Sequence, residues 1–143
     1  METEPAASFP LATILVVDDD RTVRRAVQLL LSEAGYRVFE AEDGQEALDV
    51  LSEHAPVDAV LTDVVMPRVN GVALVDVLRE EQPHQRVIYM SAHPAEVLVR
   101  YNAEDLTTPF LAKPFTRAQL LAKIQQTLAT PGVPLPRRSS RDS

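Results

Sequence analysis

Short runs of consecutive apolar residues alternate along this chain with longer stretches in which apolar residues recur every three or four positions. Ile14–Val17 is the first run, too short for a helix and rich in β-branched side chains, so it predicts a strand. From Val23 the period changes. Val23, Ala26, Val27, Leu30, Leu31 and Ala34 fall on one helix face, and Gly35 supplies a natural C-terminal stop. Tyr36–Ala41 reads as a second strand, and Ala47, Leu48 and Leu51 mark a second helix that Pro56 ends. Asp58–Thr62 reads as a buried strand, and Leu74, Val75 and Leu78 mark a third helix after Gly71. Val87–Met90 is a further apolar run, followed by a proline-started helical segment from Pro94 to about Tyr101. Phe110–Ala112 gives a last short strand, and Leu120, Leu121, Ile124 and Leu128 the final helix.

The pattern is β-α repeated five times, with strands apolar on both faces. Such strands need helices on either side, so the expected architecture is α/β: a doubly wound, five-stranded parallel sheet with five helices in three layers, α/β/α. Right-handed crossovers then place reactive residues outside the carboxyl ends of the strands.

Composition narrows the classes. The chain has 143 residues, 45% of them apolar and 24% charged, enough for one domain with a real core. Proline clusters divide it into a flexible leader over 1–12, a folded domain over 13–130 and a disordered tail over 131–143. No apolar run exceeds four residues, and the acidic N-terminus lacks the pattern of a secretory signal, so a cytoplasmic location without membrane insertion is expected. With no cysteine, disulfides, thiolate metal sites and thiol catalysis are excluded. The net charge of −7 resides in the folded part, because the leader's −2 and the tail's +2 cancel. No basic stripe is available to grip nucleic acid. Acidity suits a cation site or a basic partner as well as ordinary solubility.

The strand ends carry the candidate chemistry. Asp18, Asp19 and Asp20 follow the first strand, Asp63 the third, Ser91 the fourth, and Lys113-Pro114 the fifth. Asp20 reads as the N-cap of the first helix. Asp18, Asp19 and Asp63 together are three like charges that repel unless neutralised. One Mg²⁺ and the Lys113 ammonium would bring them to zero, and oxygen-only ligands without His or Cys suit Mg²⁺ rather than zinc. Mg²⁺ takes phosphate oxygens readily, and a carboxylate can be the nucleophile that becomes an aspartyl phosphate. His54, His84 and His93 show no metal-ligand spacing and read as loop or helix-end residues, while Tyr89 and Met90 read as core.

VVDDD, then LTDVVMPRVNG with Asp63 placed 45 residues after Asp18, then YMSA at Ser91 and FLAKPF around Lys113, form an ordered set that resembles the receiver domain of two-component response regulators. The resemblance runs from about Thr13 to Ala129. It implies a flavodoxin-like strand order of 2-1-3-4-5. It also implies that Asp63 is the phosphoacceptor, served by a histidine kinase or histidine phosphotransfer protein. Asp18, Asp19, Asp63 and the backbone carbonyl of Val65 would hold Mg²⁺. Ser91 and Lys113 would bind the phosphoryl group, and Phe110 would stand as the aromatic switch residue, a phenylalanine without the hydroxyl a tyrosine would bring. Met66, Pro67 and Gly71 would shape the loop after the acceptor, and Pro114 would follow Lys113 in a cis peptide. Val65 and His93 occupy the two positions tied in the family to phosphoryl lifetime.

One segment departs from the family pattern. Val97–Thr108 lacks the usual Gly-Ala before the fifth strand, which implies a short or irregular fourth helix. The segment MPRVNGVALVDVLREEQPHQRVIYMSAH resembles receivers of hybrid sensor histidine kinases, so a free single-domain regulator and a hybrid-kinase receiver both stay open. An aspartate-nucleophile phosphatase of the haloacid dehalogenase type wants a second aspartate two residues after the first, where this chain has Val65. A pseudo-receiver, an interaction module that no longer takes phosphate, gains no support while Asp63, Ser91 and Lys113 are all present.

Overall fold

The computed structural model describes residues 11–54, 56–64, 71–82, 84–92 and 109–129. Five strands alternate with helices: β1 (Thr13–Val17), α1 (Arg21–Glu33), β2 (Arg37–Ala41), α2 (Gly44–His54), β3 (Ala59–Asp63), α3 (Gly71–Glu81), β4 (Val87–Ser91), β5 (Phe110–Ala112) and α4 (Arg117–Ala129). All pairings are parallel, and the order is β2-β1-β3-β4-β5. Four helices belong to the described residues. The helix expected from Pro94 lies outside them, as do Val65, Met66, Pro67, His93, residues 1–10 of the leader and the tail over 131–143.

Strand alternation divides the core in two. Leu15, Val17, Val60, Val87 and Tyr89 face α2 and α3 through Ala47, Leu51, Leu74, Val75 and Leu78. Ile14, Val16, Leu61, Ile88 and Met90 face α1 and α4 through Val27, Leu31, Leu120 and Ile124. The sheet is therefore covered on both sides, the reason Ile14–Val17, Ala59–Leu61 and Val87–Met90 are continuous apolar runs. The second strand corrects the expectation of strands apolar on both faces. It sits at the sheet edge, is only partly buried, and accommodates Arg37 and Glu40 there.

Helix ends are set by local chemistry. Asp20 caps α1, its Oδ1 accepting from the amides of Thr22 at 2.9 Å and Val23 at 3.2 Å. Asp43 caps α2 by accepting from the Glu46 amide at 2.8 Å. Thr116 and Gln119 form a reciprocal capping box at the start of α4, at 3.1 Å and 2.9 Å. At the other end of α1 the amide of Gly35 bonds the Ser32 carbonyl and that of Tyr36 bonds the Leu31 carbonyl, a Schellman pair. Gly35 sits at φ +105°, and a Cβ there would meet Leu11 Cδ1 at 3.4 Å. Gly35→Ala should therefore cost about 1–2 kcal/mol, from left-handed backbone strain, read as a lower urea midpoint at unchanged m-value.

No helix among the described residues is long and apolar enough to cross a membrane.

Candidate phosphoryl site at the carboxyl edge of the sheet

The ladder extends one residue beyond several strands and thereby fixes where the polar side chains emerge. The Asp18 amide bonds the Ala41 carbonyl at 3.1 Å, the Val64 amide the Met90 carbonyl at 3.2 Å, and the Lys113 amide the Ser91 carbonyl at 2.8 Å. Asp18, Asp63, Ser91 and Lys113 consequently share one edge. Asp63 is the last residue of β3, one beyond the strand end expected from the sequence, and its register partner is Met90.

Asp18 is fully buried, with 0% exposure. Its Oδ1 accepts from the Asp20 amide at 2.9 Å and its Oδ2 from Lys113 Nζ at 2.8 Å. The same ammonium lies 3.5 Å from Asp63 Oδ2, while Asp63 Oδ1 accepts from the Val64 amide at 2.9 Å. Lys113 thus bridges two carboxylates that would otherwise repel. One oxygen each of Asp18, Asp19 and Asp63 lie within 4.8 Å of one another. Opposite oxygens in an Mg²⁺ shell lie roughly 4 Å apart, twice a bond of about 2.1 Å, so this all-carboxylate set fits the ion with a small side-chain adjustment.

The electrostatics follow from burial and from this crowding. Burial pushes the Asp63 carboxyl up to about 6; Lys113 pulls it down, and Asp18 and Asp19 push it further up. For Lys113, burial alone would lower the pKa. The hydrogen bond to Asp18 and the charges of Asp63 and Asp18 outweigh it, and the ammonium is held above the ordinary lysine value. The cation is therefore a fixed feature of the site, whereas the Asp63 carboxyl titrates at about 6 without metal.

Ser91 ends β4 and is buried. Phe110 starts β5, half-buried against the Tyr89 ring at a centroid distance of 6.0 Å and 55° between planes. The Lys113–Pro114 peptide is cis. Gly71 opens α3. Asp20 acts as a helix cap, and His54 ends α2, stacked on Phe39 with centroids 4.5 Å apart. Tyr89 and Met90 are core.

One residue of this neighbourhood was not evident from sequence reasoning. Arg24 Nη1 donates to the backbone carbonyl of Asp18 at 2.7 Å, and its Nε pairs with Glu40 Oε1 on β2 at 3.1 Å. The available signal is positional: residues 24, 27 and 31 share the buried face of α1, where a charged side chain is out of place unless it has partners.

Comparison with known proteins gives the geometry its context. The sequence model of the response regulator receiver domain matches residues 14–125. The chain is 36% identical over 118 residues to the sensor kinase CckA of Brucella abortus, covering 82% of this chain and 12% of that protein. It is 40% identical over 116 residues to the response regulator MprA of Mycolicibacterium vanbaalenii, covering 80% of this chain and 49% of that one. Among solved structures, the receiver domain of NtrX from Brucella abortus matches with a TM-score of 0.71 at 32% identity, over 82% of this chain and 98% of that one. The chain spans about half the length of the response regulator and a small part of the sensor kinase. With its strand order, its carboxyl-edge aspartates and a match over most of its length, the chain belongs to the response regulator receiver domain family of two-component signalling.

Proposed function

We propose that this receiver takes a phosphoryl group from the phosphohistidine of a histidine kinase or histidine phosphotransfer protein onto Asp63, and changes a partner-binding surface in response. The observation that carries the reading is the meeting of Asp18, Asp19 and Asp63 at one sheet edge, with Lys113 bridging two of them. An Asp63 oxygen attacks phosphorus while the bond from phosphorus to the imidazole nitrogen breaks; imidazole leaves, and the carboxylate becomes an acyl phosphate. Water later attacks that phosphorus, releasing inorganic phosphate and restoring the carboxylate. Asp18, Asp19, Asp63 and the Val65 carbonyl are the residues that would hold Mg²⁺, which when bound neutralises charge on the phosphoryl oxygens. The protein's own contribution is positioning, with the Lys113 ammonium and the Ser91 hydroxyl aimed at the same phosphoryl group. This is signalling chemistry on the protein itself, not turnover of a separate substrate.

In the proposed switch, the added oxygens draw Ser91 inward and give Phe110 room to turn further into the core, altering the surface around β5 and α4. Met66, Pro67, Gly71 and Pro114 would shape the loops around the acceptor, Met66 and Pro67 lying outside the described residues. Two states a few kcal/mol apart suffice.

Beryllofluoride, which bonds a carboxylate oxygen in tetrahedral geometry as a phosphoryl group does, tests both parts. With Mg²⁺ present, NMR should show shifts at Ser91, Lys113 and Phe110 on its addition, and none without the metal. Ser91→Ala should still take beryllofluoride yet lose the Phe110 shift. An undiminished Phe110 response in that variant would sink the switch while leaving the acceptor intact.

A further inference from the structure

Arg24 lies on α1, six residues after Asp18, and its side chain, only 13% exposed, ties that helix to Asp18 beyond β1 and to Glu40 on β2. Nη1 donates to the Asp18 carbonyl at 2.7 Å, just beyond β1. Nε donates to Glu40 Oε1 at 3.1 Å on β2, and the same oxygen lies 3.4 Å from Arg25 Nε. The Asp18 carbonyl belongs to the peptide that joins Asp18 to Asp19. On that peptide's N-terminal side, Asp18 is already fixed by its amide bond to Ala41 and by Lys113. Asp19 is exposed, so its carboxylate is aimed mainly by the backbone that carries it.

We infer that Arg24 is a positioning residue for the metal-binding aspartates: its fork, anchored on Glu40, fixes the Asp18–Asp19 peptide plane so that Asp19 points into the same volume as Asp18 and Asp63. The inference rests on the proposed Mg²⁺ reading of that cluster. A planar guanidinium serves two acceptors on different elements at once, which the point charge of a lysine does not reproduce.

Charge and position predict opposite outcomes here. Arg24 is a cation bonded to the backbone of one of the three aspartates, so through its charge alone it opposes a second cation there. If only charge matters, Arg24→Gln tightens Mg²⁺ binding and Arg24→Lys leaves it unchanged. If position matters, both variants weaken it, by about tenfold for the loss of one charge-assisted hydrogen bond. Glu40→Gln, which keeps an acceptor oxygen but loosens the anchor, should weaken it less, by about two- to threefold.

The experiment is Mg²⁺ titration of the unphosphorylated full chain and the three variants, followed by NMR shifts, with thermal melting to establish that each is folded. The Asp18 carbonyl ¹³C resonance, which reports its hydrogen bond directly, should move in both Arg24 variants. Weaker binding in Arg24→Lys together with that carbonyl shift supports the inference. An unchanged affinity in Arg24→Lys, or tighter binding in Arg24→Gln, overturns it while the metal site stands. If both Arg24 variants fail to fold, Glu40→Gln decides: unchanged affinity there overturns the inference. Absence of Mg²⁺ binding by the parent chain overturns the functional reading and this inference together.

Discussion

Replacing Asp63 with asparagine should abolish phosphoryl uptake and, in metal-free buffer at pH 7.5, stabilise the fold by up to about 3 kcal/mol. The first effect removes the nucleophile. The second follows from the carboxyl being pushed from 3.8 up to about 6, with burial as the leading cause. A carboxyl whose folded pKa exceeds its unfolded value binds its proton more tightly in the folded state. The parent chain therefore loses stability as pH rises from about 4 to 6, and stays at the lower level above that. The substituted amide would be neutral throughout and would keep an oxygen to accept the Val64 amide proton, as the Asp63 carboxylate does. The advantage of the variant should thus be full above pH 6 and vanish below pH 4. Urea denaturation of both chains across that range, in the presence of a chelator, is the measurement. Equal midpoints at pH 7.5 would show that Asp63 is not destabilised by its surroundings. Added Mg²⁺ should narrow the gap, because a cation bound to the folded parent stabilises it by mass action.

Lys113→Met should act in the opposite direction, with a loss of about 3 kcal/mol at neutral pH. It leaves the fully buried Asp18 without the ammonium at 2.8 Å and lets Asp18 and Asp63 face each other unneutralised. The Lys113 pKa is held above 10.5, because the Asp18 hydrogen bond and the carboxylate charges outweigh burial. Its contribution is therefore complete below the ordinary lysine value and is lost as pH rises through the higher folded value. Urea midpoints for parent and variant should differ most at pH 7–9 and converge in strong alkali. A constant gap at every pH would assign the loss to side-chain packing instead of the ion pair.

How much of this was legible depended on whether a residue's role is local. The Asp20 cap, the Gly35 stop and the apolar faces of α1 and α4 depend on neighbours within a few positions, and their spacing exposes them. Strands β1, β3 and β4 were readable because full burial demands unbroken apolar runs. The β2 strand was readable as an element but not as an edge, since edge position depends on which strands lie beside it. The strand order came from resemblance for the same reason. At the site, Asp18, Asp63, Ser91 and Lys113 could be brought together by the rule for strand ends alone. Arg24 could not, because its partners are a backbone carbonyl beyond β1 and a carboxylate on β2. Asp43 and Glu46 carry the spacing of an N-cap, a weaker signal than the apolar residues that follow it.

The central claim is that Asp63 is a metal-dependent phosphoacceptor. Its most direct test is the intact mass of the protein after incubation with acetyl phosphate, with and without Mg²⁺, beside Asp63→Asn, quenched rapidly so that a short-lived acyl phosphate survives. The expected result is a single added phosphoryl group that requires Mg²⁺ and is absent from the variant. A phosphoryl adduct of equal yield in Asp63→Asn, or no adduct at any quench time together with no beryllofluoride binding, would contradict it.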